Sequence, residues 1–223
     1  MNFLRLFFWA MGIIMAVPAG AVFPEVSSDG QNELLRELEA SYEAGDHDLV
    51  IEDSNIALEK SPGAFVYHLR GKAYFAKGQY DLAIADFKRA MDLEPQNAII
   101  ISNISMAYER KRYLKEAIRY AQDAVELAPK DPQFRVSLGD LYFGMGDYGQ
   151  ALAAYQTAAE IAPGTAAAYE GLGNTYMKQG ELNQAIQAYS RAIEADPSNP
   201  ERSRIIAARK RAYAEKFSSA DPA

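Results

Sequence analysis

The chain has 223 residues, of which 49% are hydrophobic and 24% charged, and its formal net charge is -7. This is an ordinary globular composition. The chain has no cysteine, which excludes thiol catalysis, disulfides and Cys-ligated zinc. Its acidic balance argues against a nucleic-acid partner, because such a partner needs a basic face.

Residues 1–21 differ from the rest of the chain. Arg5 is their only charged residue, the apolar run 6–17 follows it, and Pro18 ends that run. Small residues at 19–21 match the pattern that a signal peptidase reads. We interpret this segment as a secretory signal peptide and expect an exported protein, in a bacterial periplasm. The alternative is an uncleaved inner-membrane anchor facing the periplasm, although a span needs roughly 20 apolar residues.

A period of 34 residues runs through the remainder of the chain. Prolines recur 33 or 34 residues apart, at Pro62, Pro95, Pro129, Pro163 and Pro197. Tyrosines keep the same spacing, at Tyr74, Tyr108, Tyr142 and Tyr176. Each period reads as two amphipathic helices, for example 64–77 and 80–93, with Gly78 between them where a left-handed helix end favours glycine.

These residues resemble the tetratricopeptide repeat, whose pattern W-x₂-L-G-x₂-Y…A-x₃-F…P has this period. In the unit 64–97 the pattern is carried by Tyr67, Gly71, Tyr74, Ala83, Phe87, Ala90 and Pro95. Units 98–131, 132–165 and 166–199 follow the same pattern. Across the four units the residues that depart from it are Arg70, Ala121 and Arg135. A degenerate unit at 31–63 has Leu38, Ser41, Val50 and Ser54 where Gly, Tyr, Ala and an aromatic residue are expected.

The resemblance implies an all-α, right-handed superhelical solenoid of about five helix-turn-helix units. Around the repeats we expect a flexible lead-in at 22–30, a capping helix at 200–217 and a disordered tail at 218–223. The apolar residues of the capping helix are expected to cover the last repeat; they are Ile205, Ile206, Tyr213 and Phe217.

Catalytic motifs are missing from the sequence. It has two histidines, no GxxxxGK phosphate loop and no HExxH, so we expect no enzyme activity and no cofactor. The stretch Gly45-Asp46-His47-Asp48 could ligate a cation, but polar residues are also expected at the turn between two helices. Asp46 can cap the following helix, and we favour that interpretation over a metal site.

In tetratricopeptide proteins the first helix of each pair lines a concave groove, so the resemblance implies binding of a protein or peptide partner. The groove residues predicted here are Tyr42, His68, Lys72, Phe75, Met106, Asp140, Phe143, Asn174 and Met177. They do not reproduce the two-carboxylate clamp with which some members hold a chaperone tail. A partner segment with apolar anchors fits better. The alternative is that Phe75, Phe143 and Met177 pack against neighbouring helices.

A basic cluster occupies the turn of the third unit, at Arg110, Lys111, Arg112 and Lys115. It is either a solvated turn or a docking patch for an acidic partner or an anionic lipid headgroup. Arg112 stands in a glycine position, so we expect this turn to be remodelled.

Charge is also uneven along the chain. Residues 22–62 hold eleven acidic and two basic residues, whereas 200–223 hold six basic and three acidic ones. This asymmetry suggests the alternative function, a self-associating scaffold that forms a head-to-tail homo-oligomer. Contact with a membrane is expected only if the N-terminal segment stays uncleaved.

Overall fold

The structure, a computed structural model, describes residues 28–218. The predicted signal peptide and residues 219–223 lie outside this range. Within it the chain forms eleven α-helices and no β-strand, which confirms the all-α prediction. Their bounds are α1 Ser28–Glu43, α2 His47–Lys60, α3 Ala64–Ala76, α4 Tyr80–Leu93, α5 Ala98–Arg110, α6 Leu114–Leu127, α7 Pro132–Met145, α8 Tyr148–Ile161, α9 Ala166–Gln179, α10 Leu182–Ala195 and α11 Arg202–Ser218.

The compact unit that holds the repeats begins at Glu37, within α1. Helices α3 to α10 pack as four consecutive pairs, and the second helix of each pair contacts the first helix of the next. First helices also meet directly, since α3 contacts α5 and α7 contacts α9. Such stacking of helix pairs produces a solenoid with a concave binding surface. The first helices lie on its inner side because they are the ones that approach each other.

A glycine opposite an aromatic ring sets the distance between the two helices of a pair. A Cβ atom on Gly71 would lie 2.7 Å from the Phe87 ring, and one on Gly173 would lie 2.5 Å from Tyr189. Only glycine permits this approach. In the degenerate first unit the sizes are inverted, because Leu38 stands at the glycine position and Ser54 at the aromatic one, and both are fully buried.

The turn inside each pair holds one residue in the left-handed region. Four turns use glycine, with φ between 73° and 85°, at Gly45, Gly78, Gly146 and Gly180. Arg112 adopts φ 65° in the third unit. The backbone bond that closes this turn, from Tyr113 N to Tyr108 O, is 2.9 Å long, the same as that from Gln79 N to Tyr74 O. The prediction of a remodelled turn is therefore wrong.

Repeat tyrosines are tied to the preceding unit by a recurring hydrogen bond. Lys88 Nζ donates to the Tyr108 hydroxyl at 3.0 Å, and Gln122 Nε2 donates to the Tyr142 hydroxyl at 2.9 Å. Each donor lies on a second helix, 20 residues before its tyrosine. The repeat tyrosines thus join successive units as well as filling the core.

Arg70, a departure from the repeat pattern, forms a buried ion pair within its own helix pair. Its Nε lies 2.6 Å from Asp86 Oδ2 and its Nη2 lies 2.8 Å from Asp86 Oδ1. The side chains of Arg70 and Asp86 are only 12% and 4% exposed. At the equivalent positions of the fifth unit, Leu172 and Ala188 are both buried. A bidentate ion pair here replaces an apolar contact.

The capping helix α11 packs against α10 through Ile205 and Ala212, which are both buried. Tyr213 and Phe217, by contrast, are 43% and 63% exposed. The prediction that they cover the last repeat is wrong, because they lie on a different face of α11 from Ile205. The helix limits also differ slightly from expectation, since α1 begins at Ser28, inside the predicted lead-in.

Candidate functional site

We use the name concave stripe for the four positions on each first helix that the repeat register predicts on the inner side of the solenoid. On α3 these are Phe65, His68, Lys72 and Phe75, and on α5 they are Ile99, Ser102, Met106 and Glu109. On α7 they are Gln133, Val136, Asp140 and Phe143, and on α9 they are Ala167, Glu170, Asn174 and Met177. The stripe includes the predicted groove residues of these four helices.

Two large apolar side chains of α5 remain exposed on this stripe. Ile99 is 59% exposed and Met106 is 39% exposed, and they lie seven residues apart on one face of the helix. Exposed apolar groups that lie close together on a concave face are typical of binding surfaces. Met106 was among the predicted groove residues. Ile99 belongs to the same stripe by register, and its exposure in the packed structure is what distinguishes it.

His68 is held in place by two neighbouring groups. Its Nε2 atom lies 2.6 Å from Asn103 Nδ2 on α5, and its ring centroid lies 5.8 Å from that of Phe87. Burial, assisted by the positive charge of Lys72, lowers the pKa of His68 to about 4, against a smaller opposing effect of Glu94. The ring is therefore neutral at pH 7. A neutral ring whose Nε2 accepts the amide proton of Asn103 satisfies both groups.

Lys72 provides a cationic group at the same end of the stripe. Its Nζ lies 4.1 Å from the centroid of the Tyr42 ring on α1. This is a cation–π contact. The structure thus brings together three predicted groove residues. Tyr42 contacts Lys72, and His68 lies one helical turn before Lys72 on α3.

Asp140 and Asn174 accept hydrogen bonds from tyrosines of their own helix pairs. Tyr155 donates to Asp140 Oδ1 at 2.6 Å, and Tyr189 donates to Asn174 Oδ1 at 2.8 Å. Each acceptor lies 15 residues before its tyrosine. Both predicted groove residues therefore also orient a core ring.

Asp140 has a shifted pKa. Its pKa is raised, and the largest cause is desolvation by burial. The Tyr155 hydroxyl group lowers the pKa, and the negative charges of Glu109 and Glu170 raise it. The Asp140 residue as a whole is nevertheless exposed, so its desolvation is confined to the carboxyl group that accepts the Tyr155 bond. Glu170 forms an ion pair with Arg204, whose Nη2 lies 2.6 Å from Glu170 Oε1. The stripe therefore has Lys72 towards its N-terminal units and, on α7, the carboxyl group of Asp140, which accepts the Tyr155 bond.

Phe75 and Phe143 pack at the turns of their pairs. Each is half-buried and meets the aromatic residue five positions later, with ring centroids 5.4 Å apart for Phe75 and Tyr80 and 5.6 Å apart for Phe143 and Tyr148. Met177 likewise packs against the cluster that contains Tyr189 and Ile205. These contacts favour the alternative left open by the sequence, in which the three side chains support the fold rather than standing free in the groove.

The basic cluster lies at the turn between α5 and α6 and is divided by its contacts. Lys111 forms an ion pair with Asp81, in the same way that Lys77 pairs with Asp48 one unit earlier. The Arg110 guanidinium lies 5.4 Å from the centroid of the Phe75 ring. Arg112 and Lys115 are exposed and form no ion pair with any residue in 28–218.

The turn that suggested a metal site is built as a helix cap. Asp46 accepts a hydrogen bond from Leu49 N at 3.2 Å, and Asp48 is paired with Lys77. Across residues 28–218, acidic and histidine side chains nowhere cluster in a set of three that could hold a metal ion. No helix in that range is both long and apolar enough to span a membrane.

Family models of the tetratricopeptide repeat match three parts of the chain. They cover residues 71–111, 100–131 and 136–200, which together make up more than half of the sequence. With the packed helix pairs, this shows that the chain belongs to the tetratricopeptide repeat family.

Similar proteins agree with this assignment. The chain is 33% identical over 85 residues to the Hsp70-Hsp90 organizing protein of Triticum aestivum, which covers 38% of this chain and 15% of that protein. The crystal structure of MamA has a TM-score of 0.65 at 25% identity and covers 71% of this chain and 93% of MamA. YrrB, described as a TPR protein with an unusual peptide-binding site, has a TM-score of 0.61 at 23% identity, with coverage of 74% and 86%.

The match to the curated relatives covers only a small part of each of them. The chain spans less than a fifth of the length of the first three of them, which are the wheat protein and the RNA polymerase II-associated protein 3 of two Xenopus species.

Proposed function

We propose that this protein is a non-catalytic adaptor or assembly factor that binds a segment of a partner protein along its concave face. Tetratricopeptide repeats act as protein-interaction modules, and YrrB is described as having a peptide-binding site. The observation that carries the proposal is the exposure of Ile99 and Met106 on one face of α5, at 59% and 39%. Leaving such groups in water has a cost that binding an apolar partner surface removes.

The electrostatics of the stripe describe the partner further. In the stack of first helices, α5 with Ile99 and Met106 comes between α3 with Lys72 and α7 with Asp140. A segment with apolar side chains at its centre, an acidic group towards α3 and a basic group towards α7 is complementary to this arrangement. Because the ligand is held mainly by apolar contacts, its affinity is expected to depend only weakly on salt.

The proposed compartment is outside the cytoplasm. It rests on the signal-peptide pattern of residues 1–21 and on the lack of cysteine in the chain. An adaptor with an intact N-terminal segment would act at the inner membrane instead, facing the periplasm. N-terminal sequencing of the protein purified from its host distinguishes the two, because cleavage leaves a chain that begins at Val22.

Peptide display on the full repeat protein tests the groove. Peptides selected from a random library are expected to carry apolar anchors and to lose at least about tenfold in affinity for the Ile99→Asp/Met106→Asp protein, a change of roughly 1.4 kcal/mol. The matched control is Leu82→Asp/Leu93→Asp, since both leucines lie on the second helix α4 and are 49% and 51% exposed. Equal weakening by both double variants would contradict the groove.

A self-associating scaffold is the second candidate function. Exposed Leu49 and Ile56 lie among acidic residues on α2, whereas exposed Tyr213 and Phe217 lie among basic residues on α11. These two end faces are complementary in charge, so one copy could add to the end of another. Sedimentation velocity at low and high salt tests this candidate, and a monomer at low salt would exclude it.

A further inference from the structure

The turn between α5 and α6 keeps an unfavourable residue at its left-handed position. Arg112 has φ 65°, and the four equivalent turns place glycine there. A residue with a Cβ atom is disfavoured in this conformation. The Arg112 side chain is exposed and forms no ion pair with an acidic residue in 28–218, so the side chain gains nothing within that range from standing there. Strain of this kind is characteristic of functional positions.

Lys115 interrupts a ladder of ion pairs along the same edge. At the two preceding junctions, Lys77 pairs with Asp48 and Lys111 pairs with Asp81. The repeat register places Lys115 where Asp48 and Asp81 stand, and places Met145 where Lys77 and Lys111 stand. At this junction the acidic position of the ladder is thus occupied by a basic residue, and the basic position by an apolar one. Among the residues that the structure describes, the exposed ammonium group of Lys115 has no carboxylate partner.

Apolar surface flanks these two cations. Tyr113 is 50% exposed and lies between Arg112 and Lys115 in sequence, and Met145 is 43% exposed. Since Lys111 reaches Asp81 of the preceding turn, the same register brings Met145 towards Lys115. The turn therefore presents two unpaired cations beside an aromatic ring and a thioether. Aromatic, methionine and arginine side chains are enriched in protein interfaces.

We propose that this turn is a second docking site, separate from the concave groove, for an acidic segment of a partner protein. Arg112 and Lys115 bind carboxylates of that segment, and Tyr113 and Met145 contact an apolar side chain next to them. A guanidinium group offers two parallel donors to a carboxylate, which explains the use of arginine at a position where glycine is less strained.

A protein segment is favoured over a lipid surface. Anionic membranes are recognised by clusters of about four to eight basic residues, whereas this turn has two unpaired ones.

Fluorescence anisotropy with a fluorescein-labelled peptide of Glu-Glu-Leu repeats tests the site on the full chain. The Arg112→Gly/Lys115→Ala protein is expected to bind this peptide about tenfold more weakly than the wild type, as the loss of two charge-assisted contacts implies. The matched control is Lys130→Ala/Lys178→Ala, which removes the same net charge from exposed positions elsewhere. A third variant, Ile99→Asp/Met106→Asp, separates this site from the groove. Its affinity for the peptide is expected to fall by less than half the factor seen for Arg112→Gly/Lys115→Ala.

Arg112→Gly alone distinguishes binding from folding. It is expected to raise the melting temperature, because it relieves the left-handed arginine, while it weakens the peptide. Folding damage therefore cannot account for the loss. Binding of the Arg112→Gly/Lys115→Ala protein within twofold of its charge-matched control overturns the proposal. A second outcome would overturn the choice of a protein partner. In it, the wild type sediments with phosphatidylglycerol vesicles, the Arg112→Gly/Lys115→Ala protein does not, and both bind the peptide equally.

Discussion

The hydroxyl group of Tyr155 donates a 2.6 Å hydrogen bond to Asp140, and one repeat later Tyr189 makes the equivalent 2.8 Å bond to Asn174. A charged and a neutral acceptor thus occupy the same position in consecutive units. Tyr155 and Tyr189 are both buried against glycines of their first helices. Each hydroxyl group reaches the edge of the concave face, and the acceptor there satisfies it.

The Asp140→Asn variant is expected to keep the hydrogen bond from the Tyr155 hydroxyl group and to be slightly more stable than the wild type at pH 7. Desolvation and the charges of Glu109 and Glu170 raise the pKa of Asp140 above its ordinary value of 3.8. A raised folded-state pKa means that stability is lost as pH increases from 3.8 through the raised value. Urea unfolding across pH 3–7 should show that this loss is smaller in the variant, by some tenths of a kcal/mol.

The reverse change, Asn174→Asp, serves as the matched control. It places a carboxylate near Glu170 and is expected to destabilise the protein at pH 7. Stabilisation by both substitutions, or by neither, would contradict the electrostatic explanation.

Asp86→Ala is expected to destabilise the protein strongly. It leaves the guanidinium of Arg70 unpaired at a site where the Arg70 side chain is 12% exposed. Removing one partner of a buried ion pair typically costs about 3–5 kcal/mol. Chemical denaturation measures the change in the free energy of unfolding.

Arg70→Leu/Asp86→Ala should recover most of that loss, because Leu172 and Ala188 occupy the equivalent positions of the fifth unit and belong to one buried apolar cluster. Apolar replacement of a buried ion pair is often neutral or stabilising. A double variant as unstable as Asp86→Ala would show that Arg70 contributes mainly through other contacts, such as its 2.5 Å bond to Asn55.

Arg112→Gly is expected to increase the free energy of unfolding by up to about 1 kcal/mol. Glycine adopts the observed φ of 65° without the clash of a Cβ atom, although it also gains entropy in the unfolded chain. Thermal unfolding followed by circular dichroism measures the effect. Gly78→Arg, at the equivalent turn with φ 73°, is the reciprocal variant and should destabilise. An unchanged melting temperature in both would show that these turns tolerate a side chain freely.

His68 makes stability depend on pH below neutrality. Its folded-state pKa is lowered from 6.5 to about 4, chiefly by desolvation and then by Lys72. A lowered folded-state pKa means that stability is present above 6.5 and is lost as pH falls towards 4. In His68→Gln, whose amide can still bond to Asn103, this part of the loss should disappear. Urea midpoints measured between pH 7 and 4 test it, and an unchanged slope in the variant argues against His68 as the source.

The 34-residue period made much of the fold predictable, because each repeat position has one packing requirement. Gly71 had to face Phe87, and the second helix of that pair spans Tyr80–Leu93 as expected. The turn at Arg112 was not predictable in this way. Its backbone hydrogen bonds, set by the surrounding helices, impose the left-handed conformation whichever residue stands there.

The site was less predictable than the fold, because exposure depends on neighbours from other helices. Phe75 and Phe143 lie on the concave stripe by helical register, but each meets an aromatic ring across a turn, and helical spacing does not reveal that contact. Ile99 has the same register as Phe65 and Gln133, and only the packed structure distinguishes it as an exposed apolar group. Tyr213 and Phe217 were misplaced for the same reason, since α11 offers two apolar faces and one of them meets α10.

Photo-crosslinking in the cells that produce the protein tests the central claim most directly. A benzoylphenylalanine at Gln133, the stripe position one repeat after Ile99, should yield an adduct with a partner protein, and Ile99→Asp/Met106→Asp should abolish that adduct. The same probe at Glu126, exposed on the second helix α6, should yield none. An adduct at Glu126 with none at Gln133, or one at Gln133 that survives the double substitution, would contradict binding on the concave face.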